Sequence, residues 1–175
     1  MTTNYNILQL GDDRLRQCAE AVTDFSCPAF EQLLDDLLAL MLAENGVGIA
    51  APQIGVSLQV LIIASRPNKR YPHAPEMAPI IMINPSFSVI NANKPKDWEG
   101  CLSVPGIRAL VPRYQAIQIS YQNIDGGTET LELHDFPARV FQHEYDHLQG
   151  LVYLDRVENN QDIVAESEFF KRLAA

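Results

Sequence analysis

The residues best able to do chemistry lie in one run, His143-Glu144-Tyr145-Asp146-His147. Two imidazoles four residues apart stand on one face of an α-helix, about one turn from each other. They can share a metal ion there, with a carboxylate beside them to move protons. The surrounding sequence supplies the helix: Asp135 as a cap, Pro137 in the first turn and Gly150 as the stop predict a helix over 136–149. Around it, Arg139, Gln142, Asp146 and Gln149 form a polar face and Phe141, Tyr145 and Leu148 an apolar one. Phe136, Val140, His143, Glu144 and His147 share the third face. An apolar patch thus adjoins the ligand pair, suited to an unbranched apolar side chain entering beside a reactive centre.

A catalytic metal site normally takes three protein ligands and keeps one position open. The stretch Glu99-Gly100-Cys101-Leu102-Ser103-Val104-Pro105-Gly106 offers a third, because Cys101 sits among residues that favour a tight loop. A thiolate there would add negative charge and a strong metal bond. Taken alone, Cys101 reads equally well as a structural residue. Gly46-Val47-Gly48-Ile49-Ala50-Ala51-Pro52-Gln53-Ile54-Gly55 combines close glycines with small alanines, which lets the backbone of an extended peptide approach. An ordinary turn entering a strand explains it as well, and it lacks the spacing of a phosphate loop.

These segments need a scaffold. At 175 residues the chain fits one domain over 1–175, with one continuous core. A turn at Gly11 leads into a short helix ending near Arg16. A longer helix is predicted over 28–45, where Phe30, Leu33, Leu34, Leu37, Leu38, Met41 and Leu42 recur at helical spacing. Pro28 suits its first turn and Asn45-Gly46 its end. Short β-branched runs predict strands over 58–64, 80–84, 86–90, 108–111, 116–122 and 128–134, the last two joined by a hairpin through 123–127. The Pro-rich segment 66–79 reads as a surface loop, and a weaker helix is expected over 161–173. Strands enclosed by helices, without regular βαβ alternation, predict an α+β fold: mainly antiparallel sheets around a central helix carrying the histidine pair, with a C-terminal helix.

Composition excludes several classes. A formal net charge of −9 and a pI near 4.8 disfavour nucleic acid and anionic membranes as partners. No apolar run is long enough to span a bilayer, and Met1-Thr2-Thr3-Asn4 is not a basic, apolar leader. Three cysteines, an odd count, fit a reducing compartment, and the cytoplasm is the expected location. Cys18 and Cys27 read as small buried hydrophobes.

In this order, the three segments resemble the three signature motifs of the peptide deformylase family. Gly46 to Gln53 is similar to the first, Glu99-Gly100-Cys101-Leu102-Ser103 to the second, and Gln142-His143-Glu144-Tyr145-Asp146-His147-Leu148-Gln149-Gly150 to the third. The likeness extends through 11–16, Asn84-Pro85, 108–113 and Asp155-Arg156. It implies a hydrolase that removes the formyl group from N-terminal formyl-methionine of nascent polypeptides, releasing formate. It also implies that Cys101, His143 and His147 hold one divalent metal, Fe2+ natively, replaceable by Zn2+, Ni2+ or Co2+. Glu144 would then be the general base, with Gln53 and the Leu102 N–H as oxyanion donors. Gly48, Val47, Gly100, Phe136, Val140 and Arg108 would bind substrate.

The resemblance carries a weak ribosome association at most, because the segment 162–175 begins acidic and offers only Lys171 and Arg172. The loop over 66–78 and Trp98 look like the organelle-type branch, although no transit peptide precedes them. Two rivals remain from the residues alone: a general metallopeptidase cutting internal bonds, and a non-catalytic metal-binding module.

Overall fold

The structure, a computed structural model, describes residues 5–173. A short 3-10 turn, Asp13–Arg16, follows Gly11 and is capped by the Asp12 carboxylate, which accepts from the Arg14 N–H. Helix α1, Pro28–Ala43, buries Phe30, Leu33, Leu34, Leu37 and Met41. The buried stripe stops one residue short of expectation. Leu42 lies about 100° round the helix from Met41 and is exposed. Asn45, at φ 52, then reverses the chain into β1, Gly48–Ala50.

Strands β2 (Val60–Ser65) and β3 (Met77–Asn91) follow, then β4 (Lys96–Cys101), β5 (Val104–Pro112), β6 (Ala116–Gln122) and β7 (Thr128–His134). Helix α2, Asp135–Leu148, precedes the short β8, Ile163–Ala165, and the C-terminal α3, Glu166–Leu173. The strands form two sheets, β1-β2-β3-β6-β7 and β4-β5-β8, and every pairing within them is antiparallel. Both β1 and β4 are therefore edge strands.

All six residues of β2 are buried, because the larger sheet is covered on both faces. Ile49, Ile62 and Ile83 pack toward α1, while Leu61, Ile63, Met82, Ile117 and Ile119 pack toward α2. Each such side chain contributes about 1.5–3 kcal/mol by leaving water, and this burial holds α2 on the sheet. Its opposite side meets the smaller sheet, and α3 covers that sheet's outer face through Phe169, packed against Trp98.

The structure departs from the sequence expectations at several elements. The two short strands expected over 80–84 and 86–90 are one long strand. Its register shifts between Ile83 and Ser86, where Asn84 adopts φ 50 and bonds to Val22 N–H, Val22 C=O and Gln122. The expected helix over 161–173 begins only at Glu166, because Ile163-Val164-Ala165 pairs with β5 instead. Asp135 does not cap α2. It is the first helical residue, at φ 47, and its carboxylate accepts from Gln115. Cys18 is exposed and Cys27 half-buried rather than both being core residues. Among the described residues, no helix is long and apolar enough to cross a membrane.

Candidate active site

Helix α2 turns His143 and His147 inward on one face, with ring centroids 5.4 Å apart. Cys101 is not in a loop as expected but is the last residue of β4, immediately before the turn into β5. Strand alternation aims it. Trp98 and Gly100 face α3 and Arg108, while Glu99 and Cys101 face α2. The Cys101 sulfur thereby reaches 3.3 Å from His147 Nε2, and one donor atom from each of Cys101, His143 and His147 lies within 4.8 Å of the others.

This donor set fits a single metal ion. Bonds of about 2.0–2.3 Å to imidazole and thiolate in tetrahedral array separate ligand atoms by somewhat under 4 Å, comparable to the spacing found. The Cys101 sulfur also receives the Ser103 N–H at 3.4 Å and the Gln53 amide at 3.5 Å, which fix its position. The two imidazoles differ in their surroundings. Burial disfavours charge on His143, but its bonds to Cys101 and Glu99 outweigh that and hold it well above the usual histidine range. Burial, with His143 beside it, pushes His147 well below. A cation bound among the three groups would require the thiol and both imidazoles in their deprotonated forms.

Of the polar face expected for α2, Arg139, Gln142 and Asp146 are buried and support the site, while Gln149 is exposed. His143 Nδ1 bonds to Glu99 at 2.8 Å, which leaves Nε2 for a metal. The Glu99 carboxylate is gripped by Arg113 through Nε at 2.9 Å and Nη2 at 3.0 Å, and by Arg139 at 2.9 Å. Arg113 continues to Asp146 at 2.5 Å, and Asp146 to Arg156 at 2.7 Å. The carboxyl of Glu99 is held far below the usual range: Arg113 and His143 overcome a burial effect that would raise it. Arg113, Arg139 and Asp146 were not legible as a functional set. The available signal was Arg139, Gln142 and Asp146 at three-and-four spacing on a helix whose other faces were already assigned.

Glu144, next to His143, is buried, and its Oε2 has no protein partner. Burial pushes its carboxyl up to about 7, against the pull of His143. The carboxylate lies against Gly48, where an added Cβ would force the Glu144 carboxyl to shift. Gln53 is buried, its Oε1 fixed by the Ala50 N–H at 2.8 Å, and its amide nitrogen therefore faces Cys101 and Ser103. Ser103 was not singled out from the sequence. The cavity beside these groups is lined by Val47, Gly48, Gly100, Leu102, Phe136 and Val140 among others. Arg108 also borders it, though three of its donors are committed to Glu166 and Tyr71.

A family model described as "Polypeptide deformylase" matches residues 4–162. The chain is 51% identical over 163 residues to "Peptide deformylase 2" of Nostoc sp., covering 93% of this chain and 91% of that protein. It is 44% identical over 155 residues to "Peptide deformylase 1" of Nitrosomonas europaea, covering 87% of each. A Met-Ala-Ser-bound class I type b peptide deformylase from Acinetobacter baumannii superposes with a TM-score of 0.86 at 40% identity, covering 90% of this chain and 100% of that one. The peptide deformylase of Thermotoga maritima gives a TM-score of 0.78 at 34% identity, over 89% and 98% of the two chains.

Proposed function

We propose a mechanism from one premise: the chain belongs to the polypeptide deformylase family, metal-dependent hydrolases that remove the N-formyl group from nascent peptides. Cys101, His143 and His147 hold one divalent cation, ferrous iron in the native enzyme, with nickel, cobalt or zinc able to take its place. When bound, that ion supplies Lewis acidity and lowers the pKa of a water molecule. The observation that carries this reading is the convergence of a thiol and two imidazoles beside a buried carboxylate whose Oε2 has no protein partner.

Each remaining task falls to a residue of the chain. Glu144 takes the proton of the attacking water and passes it to the leaving amine, its Oε2 being buried and without a protein partner. The Gln53 amide and the Leu102 N–H stabilise the developing oxyanion, Gln53 being pre-oriented by the Ala50 N–H. Val47, Phe136 and Val140 receive the methionine side chain, since they line the cavity next to the ligands. The substrate backbone lies extended between the free edges of β1 at Gly48 and β4 at Gly100, pairing by main-chain hydrogen bonds that tolerate any sequence after methionine. Arg108 borders the adjoining cleft of about 420 Å³ into which the following residues pass.

The formyl group is selected by size, because its carbon carries only hydrogen and Glu144 already fills the space over Gly48. We place this chemistry in the cytoplasm, with formylated nascent chains as the partner and only weak ribosome contact. The test offers the iron- or nickel-loaded protein formyl-Met-Ala-Ser, acetyl-Met-Ala-Ser and an unblocked peptide. Turnover of the first alone is expected. Equal turnover of the acetyl peptide, or internal cleavage, would refute the reading.

A further inference from the structure

We propose that Glu166, on α3, is a positioning residue for the substrate cleft: it fixes the Arg108 guanidinium under Gly100 and against Tyr71, so that docking of the C-terminal helix sets substrate affinity. This rests on the function proposed above. Arg108 projects from β5 and is buried. Its Nε and Nη2 both donate to one oxygen of Glu166, at 3.0 and 2.6 Å, and its Nη1 donates to the Tyr71 hydroxyl at 3.1 Å. The rings of Tyr71 and Phe169 flank the guanidinium at 5.8 and 5.5 Å.

The guanidinium touches both walls of the cleft. A Cβ at Gly100 would lie 2.3 Å from Nη1, so the edge of β4 that grips substrate rests directly on Arg108. Tyr71 packs its ring on Phe136 of α2 at 4.9 Å, and both residues line the cavity. Glu166 supplies the compensating charge. Its side chain is one-third exposed and borders the same open cleft as Arg108, so loss of that charge leaves a buried cation with a path toward solvent. Movement along that path withdraws support from Gly100 and from Tyr71 together. His143 and Glu99 are held by a separate network through Arg113 and Arg139, and Cys101 by the Gln53 amide and the Ser103 N–H, so the reacting groups keep their places.

The test compares the full-length, nickel-loaded protein with Glu166→Gln, which preserves size and removes charge. With formyl-Met-Ala-Ser, KM is expected to rise about five- to tenfold while kcat stays within about twofold, the signature of lost uniform binding. Bound nickel should be unchanged, as a merely structural defect would not guarantee. Tyr71→Phe removes the other polar hold and should raise KM about twofold, with the double variant departing from the product of the two effects because both act on Arg108. Calorimetric binding of Met-Ala-Ser reads the same walls without turnover, and its Kd should rise in parallel. If the parent turns over formyl peptide and neither KM nor Kd moves in Glu166→Gln, or if the loss falls on kcat or nickel content alone, the positioning role is overturned. If the parent turns over no formyl peptide but Met-Ala-Ser affinity still falls, the proposed activity fails and the positioning role stands.

Discussion

Replacing Glu99 with glutamine keeps the side chain's shape but removes a buried charge that four donors share. Arg113 gives it two bonds of 2.9 and 3.0 Å, Arg139 one of 2.9 Å, and His143 Nδ1 one of 2.8 Å. Breaking one side of a buried ion pair costs about 3–5 kcal/mol when the other charge is left alone. Here Arg113 retains Asp146 at 2.5 Å, whereas Arg139 retains only the carbonyls of Val111 and Pro95. The cost should therefore sit near the lower end, about 3 kcal/mol, or a fall in Tm of roughly 6–12 °C for a chain of this size. The amide also holds His143 less firmly, which should weaken metal affinity about 10–100-fold. Urea unfolding with excess chelator measures the first effect free of metal linkage, and competition of a chromogenic chelator for Co2+ in the folded protein measures the second. A loss below about 1 kcal/mol together with unchanged Co2+ affinity would refute the view that Glu99 is both keystone and ligand support.

Glu144→Ala should retain metal and lose nearly all turnover, while Cys101→Ala should lose the native metal; elemental analysis beside a formate-release assay separates the two. Gly48→Ala places a methyl 2.4 Å from Glu144 Oε1 and should displace the carboxylate. About 100-fold lower kcat is expected from a shift on the order of 1 Å, with metal content preserved, and unimpaired kcat would argue against Glu144 as the base. Burial and a 2.8 Å hydrogen bond to Glu129 raise the Tyr121 phenol from the ordinary 10.0 to about 12. Because the folded value is the higher one, its contribution to stability is complete below pH 10.0 and lost as pH rises through about 12. Ultraviolet titration of the parent against Tyr121→Phe should reveal one phenolate appearing near the upper value, and its appearance near 10.0 would contradict the burial argument.

Features that depend on short-range periodicity and residue chemistry are legible in one dimension. Helical spacing placed His143, Glu144 and His147 on one face, because residues four apart coincide on any α-helix. The apolar repeat identified α1 through Met41, and β-branched runs joined by a turn bearing Asp125-Gly126-Gly127 marked β6 and β7 to the residue. Tertiary structure decided everything that requires two distant segments to meet. That Cys101 points at His147 follows from the parity of β4, with Trp98 and Gly100 turned toward α3, and parity is fixed only by pairing with β5. Ile163-Val164-Ala165 is strand rather than helix because β5 offers a free edge, a partner no local propensity encodes. The charged face of α2 is buried because Glu99 and Arg113, 44 and 30 residues before His143, bring complementary charges to it. A charged stripe facing water and one facing its counter-ions read identically in one dimension, and only the approach of the second sheet distinguishes them.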